Sequence, residues 1–455
     1  PRLPLLFPSR FILSAALAIL TLVPAMSAQS AAPTLYRADS AWLSSGKVIQ
    51  PAYILVRDGK IATVSSGKPM MARNLQVVEI KGVATAGMVD AWANLVPADL
   101  LSAQVRPASL QVTDALPVDL PGVDPALAMR VQSARRAGVV AGYLGTGGSE
   151  MQQGLGTPAT FSASNLPVST GKPALDLAMG SARMGGSGQF KATKQVSELL
   201  SSAQTLQDNL DEYSEKLEKH EKDLEEYKKK LKEFGEKKKK EEKAAAEGPG
   251  KNGEEQKKEK KKAPPKRPKP PAKPTPSLTQ SWLLDVIHGE RVLRLHAESA
   301  WDIQEALELQ EKYEMELVIV GGHEADLVAE ALAEAEVPVV LPVHSSYLTA
   351  PSERSFATRY QTLTEAGVKV ALASGTGDGS RALMLMRAGN LVAAGADKAD
   401  VWASLTAIPA AILGFENGPG SLSPGAPADF LLFHGPHPFN ASGFQTHSAK
   451  GGLLK

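Results

Sequence analysis

A chain of 455 residues can hold one large barrel with a small companion domain, or two domains. Its composition is ordinary for a soluble protein, and the absence of cysteine excludes disulfides and anchoring through a lipidated cysteine. The formal net charge of +1 conceals an asymmetry, because one internal stretch holds much of the lysine.

The chain opens with the pattern of a secretory signal. Arg2 and Arg10 precede an apolar run from Phe11 to Val23, and small residues follow at Ala25, Ser27 and Ala28. A cleaved signal over residues 1–28 is expected, and with it a periplasmic or secreted address. Residues 34–83 then read as a small β unit. Ala52–Arg57 and Lys60–Val64 are two short strands joined at Asp58-Gly59, a strong hairpin signal. Met88-Val89-Asp90 leads a further strand into the loop Trp92-Ala93-Asn94. Residues 125–145 give a helix and then the strand Val139–Leu144, followed by the glycine-rich stretch Gly145–Ser149. A phosphate loop would need Gly-Lys-Ser/Thr there, so a barrel loop near the site is the better reading.

Residues 196–234 carry a heptad seam. Val196, Leu199, Ala203, Leu206, Leu210, Tyr213, Leu217, His220, Leu224, Tyr227, Leu231 and Phe234 recur at 3–4 spacing, with polar residues between them. Such a seam is expected to pair with another helix or with its own copy. His220 lies in the seam and reads as structural. Past Gly235 the chain turns Lys-, Glu- and then Pro-rich, with Lys237–Lys240, Lys257–Lys262 and Pro264–Pro271. That tract cannot bury a core and is expected to be disordered. In an exported protein the basic run reads as a solvated linker, not as a nucleic-acid site.

From Arg291 to Ser346 the chain alternates strand, helix, strand, helix, strand. The three strands end at His296, His323 and His344. This alternation implies right-handed βαβ units and a parallel sheet, whose chemistry collects at C-terminal strand ends. Three histidines at three consecutive strand ends therefore mark a site. The bland alternative is that each packs or hydrogen-bonds locally, most readily for His344. The strand Val368–Ser374 and the loop Gly375–Gly379 follow, then two helices. Ser421–Phe433 is a turn into a closing strand that would rejoin the N-terminal β unit.

In their order, these landmarks resemble the amidohydrolase superfamily, nearest its imidazolonepropionase-like members. They are the Asp58–Ile61 hairpin, Ala86–Ala91, His296-Ala297-Glu298, Glu365–Leu372, Ala407–Gly414 and Gly420–Asp429. The resemblance runs from about residue 34 to 440, apart from the insertion. It implies a distorted (β/α)8 barrel over 84–195 and 278–414. A β-sandwich from both chain ends, 34–83 with 415–445, would accompany it. Residues 196–277 would be a long charged helical insertion.

The resemblance also implies hydrolysis of C–N bonds other than peptide bonds, by water activated on a divalent metal, zinc foremost. The family's ligands are a His-x-His after strand 1, histidines after strands 5 and 6, and an aspartate after strand 8 that acts as base. Here Trp92-Ala93-Asn94 stands for the His-x-His, and Gly375 for the aspartate. His296 and His323 match the strand-5 and strand-6 ligands. Asp378, His344 and Asn94 are candidate replacements, and Asp90 and Trp92 would line the site. Asp378 would take the part of the base. A catalytic zinc normally wants three protein ligands and an open position, so two imidazoles alone make a weak site.

Two functions follow. One is an exported hydrolase of an amide or cyclic amide, with a site rebuilt on His296, His323 and Asp378. The other is a catalytically silent barrel acting as a binding or assembly partner through 196–234, as a homo- or hetero-oligomer. No nucleic-acid partner is expected in either. A third reading, a periplasmic α/β binding protein, explains export but not the landmarks.

Overall fold

In the computed structural model, the described residues are 32–70, 75, 77–93, 95, 125–145, 152–161, 167–179, 189–246, 263–343, 355–375, 380–415, 418–448 and 452–453. His344, Asn94 and Asp378 lie outside them, as do residues 1–31. None of the described helices is long and apolar enough to cross a membrane.

The N-terminal strands are β1 (Thr34–Trp42), β2 (Val48–Ile49), β3 (Ala52–Arg57), β4 (Lys60–Ser65) and β5 (Val77–Ala86). β3 and β4 pair through Arg57 and Lys60, and Asp58 and Gly59 between them both have positive φ, 52° and 71°. This is the backbone that an Asp-Gly hairpin turn requires. The barrel begins with β6 (Met88–Asp90), helix α1 (Pro125–Arg136), β7 (Val139–Leu144), β8 (Gln152–Phe161), β9 (Pro167–Ser169) and β10 (Ala174–Ala178). Helix α2 (Gln189–Ala246) is 58 residues long. After it come α3 (Leu278–Ile287), β11 (Leu293–Ala297), α4 (Ala300–Tyr313), β12 (Leu317–Gly321), α5 (Ala329–Glu334) and β13 (Val339–Pro342). The chain then runs through α6 (Phe356–Glu365), β14 (Val370–Ala373), α7 (Ser380–Ala393), α8 (Lys398–Ala403) and α9 (Ala407–Ile412). It ends in β15 (Phe430–Phe433), β16 (Phe444–Ser448) and β17 (Gly452–Leu453).

Two sheets result. The first has the order β17-β16-β15-β5-β1-β3-β4, with β2 on β1, so it is built from both ends of the chain. Tyr36, Ile54, Ile61, Ala84, Phe430 and Leu432 form its core. The second follows β14-β13-β12-β11-β10-β8-β7-β6. An isolated bridge between Ala93 and Gly375 brings its two ends together. The sheet is a distorted (β/α)8 barrel, and β8, antiparallel to both β7 and β10, is the distortion.

β11 to β14 are fully buried, and apart from Arg294 and His296 on β11 they are apolar, as parallel strands covered on both faces tend to be. Ser299 caps α4 and Ser355 caps α6, each accepting a hydrogen bond from a backbone N–H of its helix's first turn.

The first part of the heptad seam is covered: Val196, Ala203 and Leu206, with the neighbouring Leu200, are buried in the layer between barrel and helices, beside Trp282, Leu283 and Val286 of α3, and Leu199 packs against them. This part of the seam thus lies on its own barrel.

Candidate functional site

Side chains alternate across a strand. On β10, Leu175 and Leu177 join the outer core, which turns Asp176 into the barrel; on β11, Leu293 and Leu295 do the same for Arg294 and His296. The parallel register sets Asp176 beside Arg294, and Ala178 beside His296. Asp176 therefore meets both cations of β11. Arg294 Nε donates to Asp176 Oδ1 at 3.2 Å, and its Nη2 donates to the Ala91 carbonyl at 2.7 Å. Its guanidinium lies over the Tyr143 ring, 3.8 Å from the centroid. The Tyr143 hydroxyl donates to Asp176 Oδ2 at 2.6 Å. His296 Nε2 is 3.5 Å from Asp176 Oδ1.

Arg294 and Asp176 are each 2% exposed. Burial alone would raise the Asp176 carboxyl, but the His296 hydrogen bond, the Arg294 charge and the Tyr143 hydroxyl outweigh it and hold it below its ordinary value. Burial first, and the Asp176 charge second, push the Tyr143 phenol well up, so it remains a donor. Gly156 on β8 is required here, because a Cβ would collide with the Tyr143 hydroxyl.

A second buried carboxylate joins the first and last strands of the barrel. Asp90 Oδ2 accepts from Ser374 Oγ at 2.5 Å, and Oδ1 accepts from the backbone N–H of Ser374 at 2.9 Å and of Trp92 at 3.1 Å. Burial raises the Asp90 carboxyl, opposed by these hydrogen bonds and by the Arg381 charge. Asp90 is thus a latch between strand ends.

Trp92 packs with Val318, Val320, Val340, Ala371 and Ala373 inside the barrel. Its ring meets His296 edge-on, with centroids 5.0 Å apart. Tryptophan therefore fills the space beside the strand-5 histidine.

His323 follows β12. Its backbone N–H donates to Glu298 Oε2 at 3.1 Å. Glu298 lies across Gly321, where a Cβ would stand 2.5 Å from its carboxylate. The His323 imidazole is held below its ordinary value, first by burial and then by the Arg359 charge. Its Nε2 is buried, with no hydrogen-bond partner among the described residues.

Among the described residues, no group of three or more His, Asp or Glu is placed to hold a metal ion. His296 Nε2 is turned to the Asp176 carboxylate, and Trp92 provides no donor. The described residues do not by themselves make up a metal site.

Asp176, Arg294, Tyr143 and Ser374 were not anticipated from the sequence. A signal existed, because Ala174–Ala178 and Leu293–Ala297 each place a charge, Asp176 and Arg294, among the apolar residues of a short strand. Opposite charges on such strands are expected to meet, since an unpaired buried charge is costly.

No family model matches the sequence, and no curated protein matches it. Solved structures do. An amidohydrolase from Thermotoga maritima MSB8 is similar with a TM-score of 0.64 and 20% identity, covering 93% of this chain and 99% of that one. A second amidohydrolase has a TM-score of 0.52 and 16% identity, with 93% and 98% covered. The chain has the fold of the amidohydrolases.

Proposed function

We propose that this chain is an exported amidohydrolase-type barrel that has given up water activation on a metal and serves as a binding or assembly subunit. One observation carries the reading: His296 Nε2 faces the Asp176 carboxylate at 3.5 Å, with Trp92 against its ring. The carboxylate engages Nε2, so that nitrogen is not available to a metal. Here it belongs to a network that satisfies a buried Arg–Asp pair. The Asp90–Ser374 latch supports the same reading, because it ties together the two strand ends at which the family places ligands. Export is supported by the charged, apolar and small-residue pattern of residues 1–28. Partners would meet surfaces outside the lumen.

A second reading is hydrolysis of an amide or cyclic amide by water activated on a divalent metal, zinc foremost. His323 favours it. A neutral, half-buried imidazole whose Nε2 is buried with no hydrogen-bond partner among the described residues is in the form that binds metals. Asp378, His344 or Asn94 would have to complete that site.

Elemental analysis of protein purified without chelators, before and after dialysis against zinc, separates the two. No bound metal, and no hydrolysis of amides or cyclic imides, is the outcome expected for the silent barrel. About one metal ion per chain, lost in His323→Ala, would overturn it in favour of the hydrolase.

A further inference from the structure

Beyond Leu206 the seam leaves the barrel. Leu210, Tyr213, His220, Leu224, Tyr227 and Phe234 are each half-buried, while the residues around them are largely exposed. Leu217 and Leu231, at 38% and 42% exposure, fill the remaining seam positions. A lone solvated helix has no reason to shield one stripe, so another part of the chain lies along it.

The return segment has a matching pattern. Between residues 263 and 278 every residue is exposed except Pro265, Pro268, Pro271 and Pro274, which are half-buried. A three-residue period is that of polyproline II. The local sequence dictates that conformation. From Pro264 to Pro276, every residue but Lys266 and Ala272 either is proline or precedes one, and both positions favour extended backbone. One face of this strand, a proline at each turn, is covered.

We propose that residues 263–276 are the occupant of the α2 seam. They run back along the helix as a polyproline strand, so the insertion is a self-closed arm and not half of a coiled coil awaiting a second copy. Connectivity supports this, because the chain must return from Ala246 to Leu278, where α3 packs beside the buried start of α2. Lengths agree as well. Leu210 to Ala246 spans roughly 54 Å of helix, and residues 263–277 span roughly 43 Å of polyproline II. Charge is complementary. The return strand carries Lys266, Arg267, Lys269 and Lys273 with no acid, whereas acids outnumber bases on α2 between Asp208 and Glu226. Tyrosine, leucine and phenylalanine present broad apolar surface to the proline rings, which lose little conformational entropy on packing. The inference holds whether or not the barrel is catalytic.

The test is lysine cross-linking of the full-length chain, mixed from unlabelled and isotope-labelled preparations, with mass measured by light scattering. The expected result is links from Lys266, Lys269 and Lys273 to Lys216, Lys222, Lys228 or Lys230 within single-isotope pairs, in a monomer. Mixed-isotope links between two α2 helices in a dimer would assign the seam to a second copy and overturn the proposal. So would a monomer in which the return strand links to nothing on α2. A variant with glycine at positions 265, 268, 271 and 274 is expected to lose these links and to be cut faster at Tyr213 and Tyr227. Unchanged links and cutting would show that the prolines do not hold the seam.

Discussion

The barrel lumen and the α2 arm are both rich in charge, and the two use it differently. In the lumen, Arg294 and Asp176 have side chains only 2% and 3% exposed, and Tyr143, His296 and the Ala91 carbonyl surround them. On α2, Lys216 pairs with Glu212 and Lys230 with Glu226, but all four side chains remain more than half exposed. Water screens the second kind of pair and cannot reach the first. Removing one partner should therefore be severe in the lumen and almost silent on the arm.

The largest effect is expected from Asp176→Ala. It leaves Arg294 buried and uncompensated, so thermal or urea unfolding should show a loss of about 3–5 kcal/mol. The double variant Asp176→Leu/Arg294→Met should recover most of that loss, since it removes both charges. A double variant as unstable as the single one would mean that the network does more than balance charge.

Asp90→Ala should come next. It strands two buried backbone donors and leaves the Ser374 hydroxyl only the Trp92 carbonyl at 3.2 Å, at about 1–3 kcal/mol. Hydrogen exchange should rise selectively where β6 meets β14; uniform protection would refute the latch.

A pH effect separates a third buried polar group from both regions. In the first sheet, His447 Nδ1 lies 2.6 Å from the Ala428 carbonyl and Nε2 lies 2.9 Å from the Tyr36 hydroxyl. A carbonyl can only accept, so Nδ1 carries the proton and Nε2 accepts from Tyr36. Burial holds this imidazole below its ordinary value, opposed by the Ala428 hydrogen bond. The unfolded chain then binds the proton more readily. Stability from this group is full above the unfolded value, about 6.5, and falls as pH drops through it toward the folded value. His323 and His437 are shifted in the same direction. The melting temperature should therefore fall on mild acidification, and the fall should shrink, without vanishing, in His447→Gln. An equal fall in both proteins would remove His447 from the account.

The smallest effect belongs to the arm. Lys216→Ala or Lys230→Ala should change stability by no more than about 0.5 kcal/mol, by denaturant unfolding. A larger loss would mean that these are not water-screened surface pairs.

Much of the architecture was legible in the chain itself, because short-range rules specify it. Asp58-Gly59 demanded a turn with positive φ. The alternation from Arg291 to Ser346 demanded parallel βαβ units. The heptads demanded a long helix, and His296 and His323 were correctly placed at the ends of the fifth and sixth barrel strands. The tract past Gly235 read as disordered, whereas the helix runs on to Ala246 and a proline is half-buried at every third position from 265 to 274. What local rules cannot supply is a partner. Asp176 meets Arg294 only because β10 and β11 lie adjacent in one register, although 118 residues separate them in sequence. Ser374 meets Asp90 only because the sheet curls until its first and last strands touch. His296 reads as a candidate metal ligand from its position, and only the packed barrel sets its Nε2 3.5 Å from Asp176 and its ring against Trp92. The seam read as a face for another helix or its own copy, whereas its first part packs on its own barrel. Periodicity and turn chemistry act over a few residues and are written in the chain. Which buried charge neutralises which, and which face covers which, are long-range contacts that exist only once the strands and helices have packed.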